Sequence, residues 1–121
     1  LAGLLGETPA AKDTFSCARD LGLRETLAAG GRPQVVVTGI ETHVCVLSTA
    51  LDLLEAGYRV HVPHDAVNSR RAVDKQWALQ RMQQAGAQIT TTESALFELV
   101  ERCGTADFKT VAKLVKKLPV P

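Results

Sequence analysis

Residues 35–49 read Val-Val-Val-Thr-Gly-Ile-Glu-Thr-His-Val-Cys-Val-Leu-Ser-Thr, and this order decides the fold. A β-branched run stops at Gly39, turns through Ile40, Glu41 and Thr42, and enters an amphipathic helix. Pro33 introduces Val35-Val36-Val37, which is apolar on both faces and suits a strand buried in a parallel sheet. Thr42 is placed to cap the helix, since its hydroxyl can accept from an unpaired N–H of the first turn. Val44, Leu47, Leu51 and Leu54 follow at spacings of three, four and three, one stripe of a helix. Gly57 is placed to end it.

Cys45 falls in the first turn of that helix. A thiol there meets unpaired backbone N–H groups and the positive end of the helix dipole. Both favour the thiolate, which is the nucleophile. The arrangement is a strand–turn–helix elbow with sulfur where some hydrolases carry a serine hydroxyl. A free helix cysteine is also commonly a small buried hydrophobe, and position alone leaves both readings open. In open α/β sheets, sites form at the carboxyl ends of strands, and Cys45 lies just past such an end.

Outward from this stretch the pattern alternates. Residues 1–11 carry Gly3, Gly6 and Pro9 with little periodicity and read as a loop or frayed end. Residues 18–29, with Leu21, Leu23 and Leu27, predict a short helix ending at Gly30-Gly31. Residues 58–63 read as a second strand ended by Pro63. Residues 70–85 predict a helix with Val73, Trp77, Met82 and Ala85 on one side and Gly86 as its stop. Residues 87–92 read as a third strand, residues 93–103 as a helix stopped at Gly104, and residues 106–118 as a basic helix ended by Pro119. From the first strand onward the order is β-α-β-α-β-α-α, which implies right-handed crossovers and a parallel sheet.

Composition narrows the function classes. The chain has 121 residues, 45% hydrophobic and 22% charged, ordinary for one globular domain. A net charge of +1 gives no electrostatic reason to expect a nucleic-acid or membrane-surface partner. No apolar run approaches the ~20 residues of a membrane span, and no signal peptide is visible. Cys17, Cys45 and Cys103 are odd in number and widely spaced, which argues against a disulfide framework and fits a reducing, intracellular compartment. His43, His61 and His64 lack ligand spacing, so no structural metal is expected. Without G-x-G-x-x-G or a P-loop, no dinucleotide or nucleotide cofactor is expected either. The chain begins at Leu1 and its only methionine is Met82, so the sequence reads as a fragment or a processed product.

Other positions could serve the crevice. Lys12, in Lys-Asp-Thr-Phe-Ser, is either a solvated surface lysine or, beside a cysteine, a group that favours the thiolate and holds developing negative charge. Asp65 follows the second strand and either lines the crevice or caps the turn into the next helix. His43 and His64 flank the region as exposed loop residues or as a base for Cys–His chemistry.

Gly-Ile-Glu-Thr-His-Val-Cys-Val at 39–46, a helix, and then Tyr-Arg-Val-His-Val-Pro-His-Asp-Ala at 58–66 resemble the isochorismatase-like cysteine hydrolases. That superfamily includes nicotinamidases, N-carbamoyl amide hydrolases and isochorismatases. Lys12 in Lys-Asp-Thr-Phe-Ser is similar to the family's K-x-x-[FY]-S element. Residues 108–116, Phe-Lys-Thr-Val-Ala-Lys-Leu-Val-Lys, resemble the tail of the branch that holds isochorismatase domain-containing proteins and mar1-like proteins. The resemblance covers about residues 10–118. It implies a three-layer α/β/α Rossmann-like fold and an intracellular, cytoplasmic location, with mitochondrial association as the alternative. It also implies a small-molecule substrate, most readily an amide, and a homo-oligomeric assembly. Isochorismate cleavage concerns a vinyl ether, so the family name does not fix the substrate.

By the same resemblance Cys45 matches the nucleophile and Lys12 the lysine that supports the thiolate. The Ile40–Glu41 peptide matches a cis bond, and the backbone N–H groups of Glu41 and Cys45 match the oxyanion hole. The family's third catalytic residue, an Asp on the first strand, has no counterpart, because the chain begins after that point. Asp13 and Asp20 lie on the wrong side of Lys12. The family's metal-binding cluster belongs to the same missing part. The expectation is a C-terminal portion of the domain, with little hydrolysis by itself and an unpaired edge on the strand at 35–40. A non-catalytic assembly module of the same fold is the alternative. The mar1 label suggests nucleic acid, but Lys109, Lys113, Lys116 and Lys117 read as one solvated helix face.

Overall fold

The computed structural model describes residue 6 and residues 8–118. The remaining residues of the predicted N-terminal loop, and Pro119 as a helix stop, lie outside the described residues. Among the described residues there are five strands: β1 Gln34–Val36, β2 Gly39–Ile40, β3 Arg59–Pro63, β4 Val67–Asn68 and β5 Gln88–Thr90. Five α-helices alternate with them: α1 Leu21–Gly30, α2 Leu47–Glu55, α3 Ala72–Gln84, α4 Thr92–Val100 and α5 Ala106–Val115. A 3-10 turn, Cys17–Arg19, leads into α1, and a π-helical turn, Thr42–Val46, leads into α2.

The sheet is parallel, as the alternation requires, in the order β1-β3-β5 with Val35 opposite Val60 and Val62 opposite Ile89. Helices lie on both sides of it. One face presents Val35, Val60, Val62 and Ile89 to α2 and α3, and the core forms there around Val46, Ala50, Leu53, Val60, Val62, Ala78 and Met82. The opposite face presents Val36, His61 and Thr90 to a cleft of about 580 Å³ shared with Ala95 and Leu99 of α4.

The strand expected over 35–40 is one extended ribbon that changes partner. The Val37 N–H donates to the His61 carbonyl at 2.9 Å, whereas the Gly39 N–H donates to the Ala66 carbonyl at 2.9 Å. Beyond Pro63 the partner chain turns and returns as β4, so β2 pairs with β4 in a separate two-stranded sheet. Two-residue strands carry no readable period, so β4 left no sequence signal. The burial expected for Val35-Val36-Val37 holds on one side only: Val35 and Val37 are half-buried, and Val36 is 49% exposed. Among the described residues β1 lies at the edge of this sheet.

Four helix expectations need correction. Thr42 does not cap α2; it is fully buried inside the π-helical turn, which Glu41 precedes, and Val46 takes the cap position of α2 without a side-chain bond. The wide turn inserts an extra residue, and the buried stripe is Val46, Leu47, Ala50 and Leu53, while Val44, Leu51 and Leu54 are half-buried. On α3 the buried pair is Ala78 and Met82, four apart, and Val73 and Trp77 face outward at 42% and 58% exposure. Helix α4 ends at Val100, before the predicted stop at Gly104, because Glu101 adopts a left-handed conformation, φ 60°.

Candidate active site

Gly39 has φ +108°, a backbone region that strains any side chain, so glycine is required where the ribbon turns into the elbow. The Ile40–Glu41 peptide is cis. The Glu41 carbonyl then accepts the N–H groups of Val44 at 3.1 Å and Val46 at 3.2 Å, the second being the i to i+5 bond of a π turn. Cys45 lies inside this turn, is half-buried, and is a free thiol, as are Cys17 and Cys103. The Glu41 N–H directly follows Ile40, which pairs with Asn68 at the end of the β2–β4 ladder.

Lys12 lies in the loop that precedes the 3-10 turn and α1. The Cys17 N–H donates to the Thr49 hydroxyl at 2.9 Å, and the Arg19 guanidinium makes two bonds to Asp52, at 2.8 and 3.2 Å. Both anchors are on α2, Thr49 four residues beyond Cys45. The Lys12 ammonium is exposed and donates to the carbonyls of Thr14 at 2.7 Å and Phe15 at 3.0 Å. Those two bonds leave one of its three donors. The Arg19 guanidinium beside Asp52 holds that carboxyl below the usual carboxylate range.

Asp65 does not line the elbow. Its Oδ1 accepts from the Thr92 N–H at 2.8 Å and the Thr92 hydroxyl at 3.0 Å. The capping alternative is therefore the observed one, but the helix it serves is α4, not the α3 that follows it in sequence. Burial pushes the Asp65 carboxyl up, and the two Thr92 bonds outweigh it, so the group is held below the usual range. His64 is exposed, and its N–H donates to the Thr90 carbonyl at 2.9 Å. His43 is half-buried beside the elbow, with Nδ1 3.0 Å from the Ser69 hydroxyl and 3.5 Å from Glu41 Oε2. Arg70 forms an ion pair with Glu41, its Nε 2.7 Å from Oε1. Sequence reading missed Ser69 and Arg70, since they follow the unreadable β4.

Neither cleft holds the thiol. The one of about 680 Å³ lies between α1 and α2, against Leu27, Ala28 and Leu53, and the other is the sheet-face cleft. Among the described residues no group of three or more His, Cys, Asp or Glu side chains is arranged for a metal ion. No helix among them is long and apolar enough to cross a membrane.

Comparison with known proteins places the chain. The isochorismatase domain family matches residues 1–94. The secreted isochorismatase effector Isc1 of Phytophthora sojae is 51% identical over 86 residues, 71% of this chain and 41% of that protein. Isochorismatase domain-containing protein 2A of Mus musculus is 42% identical over 119 residues, 98% of this chain and 57% of that protein. Among solved structures, the MAR1 ribonuclease from Caenorhabditis elegans superposes with a TM-score of 0.79 at 39% identity, covering 91% of this chain and 59% of that one. The YcaC protein of Escherichia coli, described as an octameric hydrolase of unknown specificity, shares the fold at a TM-score of 0.79 and 23% identity, covering 98% and 65%. The chain thus spans between about two fifths and three fifths of the length of the curated relatives described here.

Proposed function

The chain belongs to the isochorismatase family, and from that premise we propose that it carries the nucleophile half of a cysteine hydrolase site. Cys45 attacks a carbonyl carbon of a small amide or related substrate, the amine leaves, and water cleaves the thioester that remains. The Glu41 N–H, joined by that of Cys45, receives the oxyanion as the carbonyl becomes tetrahedral. Lys12 supports the thiolate from the loop anchored at Thr49. No cofactor takes part. The observation that carries this reading is the placement of Cys45 in the turn directly after the Gly39–Glu41 elbow.

The family's Asp, which takes the thiol proton and returns it to the leaving group, matches no position of this chain. These 121 residues therefore hydrolyse small amides slowly or not at all, and a longer chain that restores an upstream strand ending in Asp turns them over. Equal turnover by the two chains rejects this division of labour. The nucleophile itself is read by alkylation: iodoacetamide modifies Cys45 faster than Cys17 and Cys103 at neutral pH. Equal rates at all three overturn the assignment.

A second reading, an assembly module, is favoured by one observation. The edge strand β1 exposes Val36 at 49%, and the ribbon beyond it exposes Ile40 at 72%. Such an edge recruits another strand, and a homo-oligomer within a cytoplasmic or mitochondrial compartment accommodates both readings. A nucleic-acid role draws no support from a net charge of +1, with Lys109, Lys113, Lys116 and Lys117 all exposed along α5 and its neighbourhood.

A further inference from the structure

Glu41 is built into the turn that carries the thiol, since its carbonyl closes that turn through Val44 and Val46. Its side chain folds inward and is 23% exposed. Oε2 is buried and has no hydrogen-bond partner among the described residues; His43 Nδ1 is 3.5 Å away but bonds Ser69. A partly desolvated negative charge here works against a nucleophile, because it draws on the same positive helix end and repels a thiolate one turn on. What offsets it is Arg70, which forms an ion pair with Glu41, Nε 2.7 Å from Oε1, while its side chain is 83% exposed.

Resting on the reading of Cys45 as nucleophile, we propose that Arg70 is a positioning residue that acts through Glu41. It neutralises the elbow carboxylate and thereby keeps the Cys45 turn hospitable to negative charge. The pair also fastens the turn at 41–43 to the segment after β4, reinforcing a β2–β4 contact only two residues long. Because Arg70 is exposed, its removal opens no cavity, so its effect is chiefly electrostatic.

The test is the alkylation rate of Cys45 by iodoacetamide at neutral pH in four chains: the unchanged protein, Arg70→Ala, Arg70→Lys, and Arg70→Ala combined with Glu41→Gln. Arg70→Ala is expected to slow Cys45 by about fivefold or more. Arg70→Lys keeps a cation and is expected to stay within about twofold of the unchanged protein. Glu41→Gln removes the unbalanced charge, so the double variant recovers the rate. Cys17 and Cys103 serve as internal references, and thermal melts confirm folding. An Arg70→Ala rate within about twofold of the original overturns the proposal. So does a double variant as slow as Arg70→Ala, which would mark a structural role. Failure of the underlying catalytic reading shows separately, as a Cys45 no faster than the other two thiols in the unchanged protein, while the ratios among variants still report on Arg70.

Discussion

Met82 and Trp77 lie five residues apart on α3 and meet opposite surroundings: Met82 is fully buried, while Trp77 is 58% exposed. A fully buried side chain loses both transfer energy and packing when truncated, so Met82→Ala should cost about 2–5 kcal/mol in chemical denaturation. Trp77→Ala should cost less than about 1 kcal/mol, because its outward position removes little apolar surface. Equal losses would mean that α3 packs through its Trp77 side, as its leading apolar residues suggest in sequence. Hydrophobicity alone could not separate the two, because both satisfy a helical period. A cysteine just after Gly39-Ile40-Glu41-Thr42 was legible, and so was Lys12 as a loop residue, but the partners of Glu41 were not. Ser69 and Arg70 are nearly thirty positions away, and only the chain's return through β4 brings them to the elbow.

Helix α4 owes its start to a residue outside itself. Thr91 caps it locally by accepting from the Ser94 N–H at 3.1 Å, and Asp65 adds the bond to the Thr92 N–H. The Asp65 carboxyl is held below its unfolded value of about 3.9. Its contribution is therefore fully present above about pH 4 and is lost as pH falls through the folded value. Amide protection in α4 should weaken in acid, and Asp65→Asn should remove most of that pH dependence while lowering protection at neutral pH. Unaltered acid sensitivity in the variant would count against the cap. A similar tie holds the Lys12 loop on α2, where Thr49→Val deprives the Cys17 N–H of its acceptor. A loss of about 1–3 kcal/mol is expected, and with it faster proteolysis between residues 10 and 20. The turn into α2 shows what periodicity misses at this scale. A π turn inserts one residue, and the stripe read as Val44, Leu47, Leu51 and Leu54 becomes Val46, Leu47, Ala50 and Leu53.

At the scale of the molecule, the exposed edge at β1 and Ile40 is the feature with the largest consequence. An unpaired strand edge with apolar side chains associates with another strand unless it is covered. Light scattering should give a mass above the 13.0 kDa of one chain, and Val36→Lys should shift it toward the monomer. A monomer at every accessible concentration would set aside the assembly reading. The parallel order, the crossover helices and the elbow cysteine followed from sequence by itself, because alternation of β-branched runs with helical stripes is a local property of neighbouring residues. The partner change along residues 34–40, the side of α3 that is buried, the helix that Asp65 caps and the Glu41–Arg70 pair were decided by tertiary structure. Each depends on which distant segment arrives to share a hydrogen bond or exclude water, and sequence spacing carries no record of that arrival.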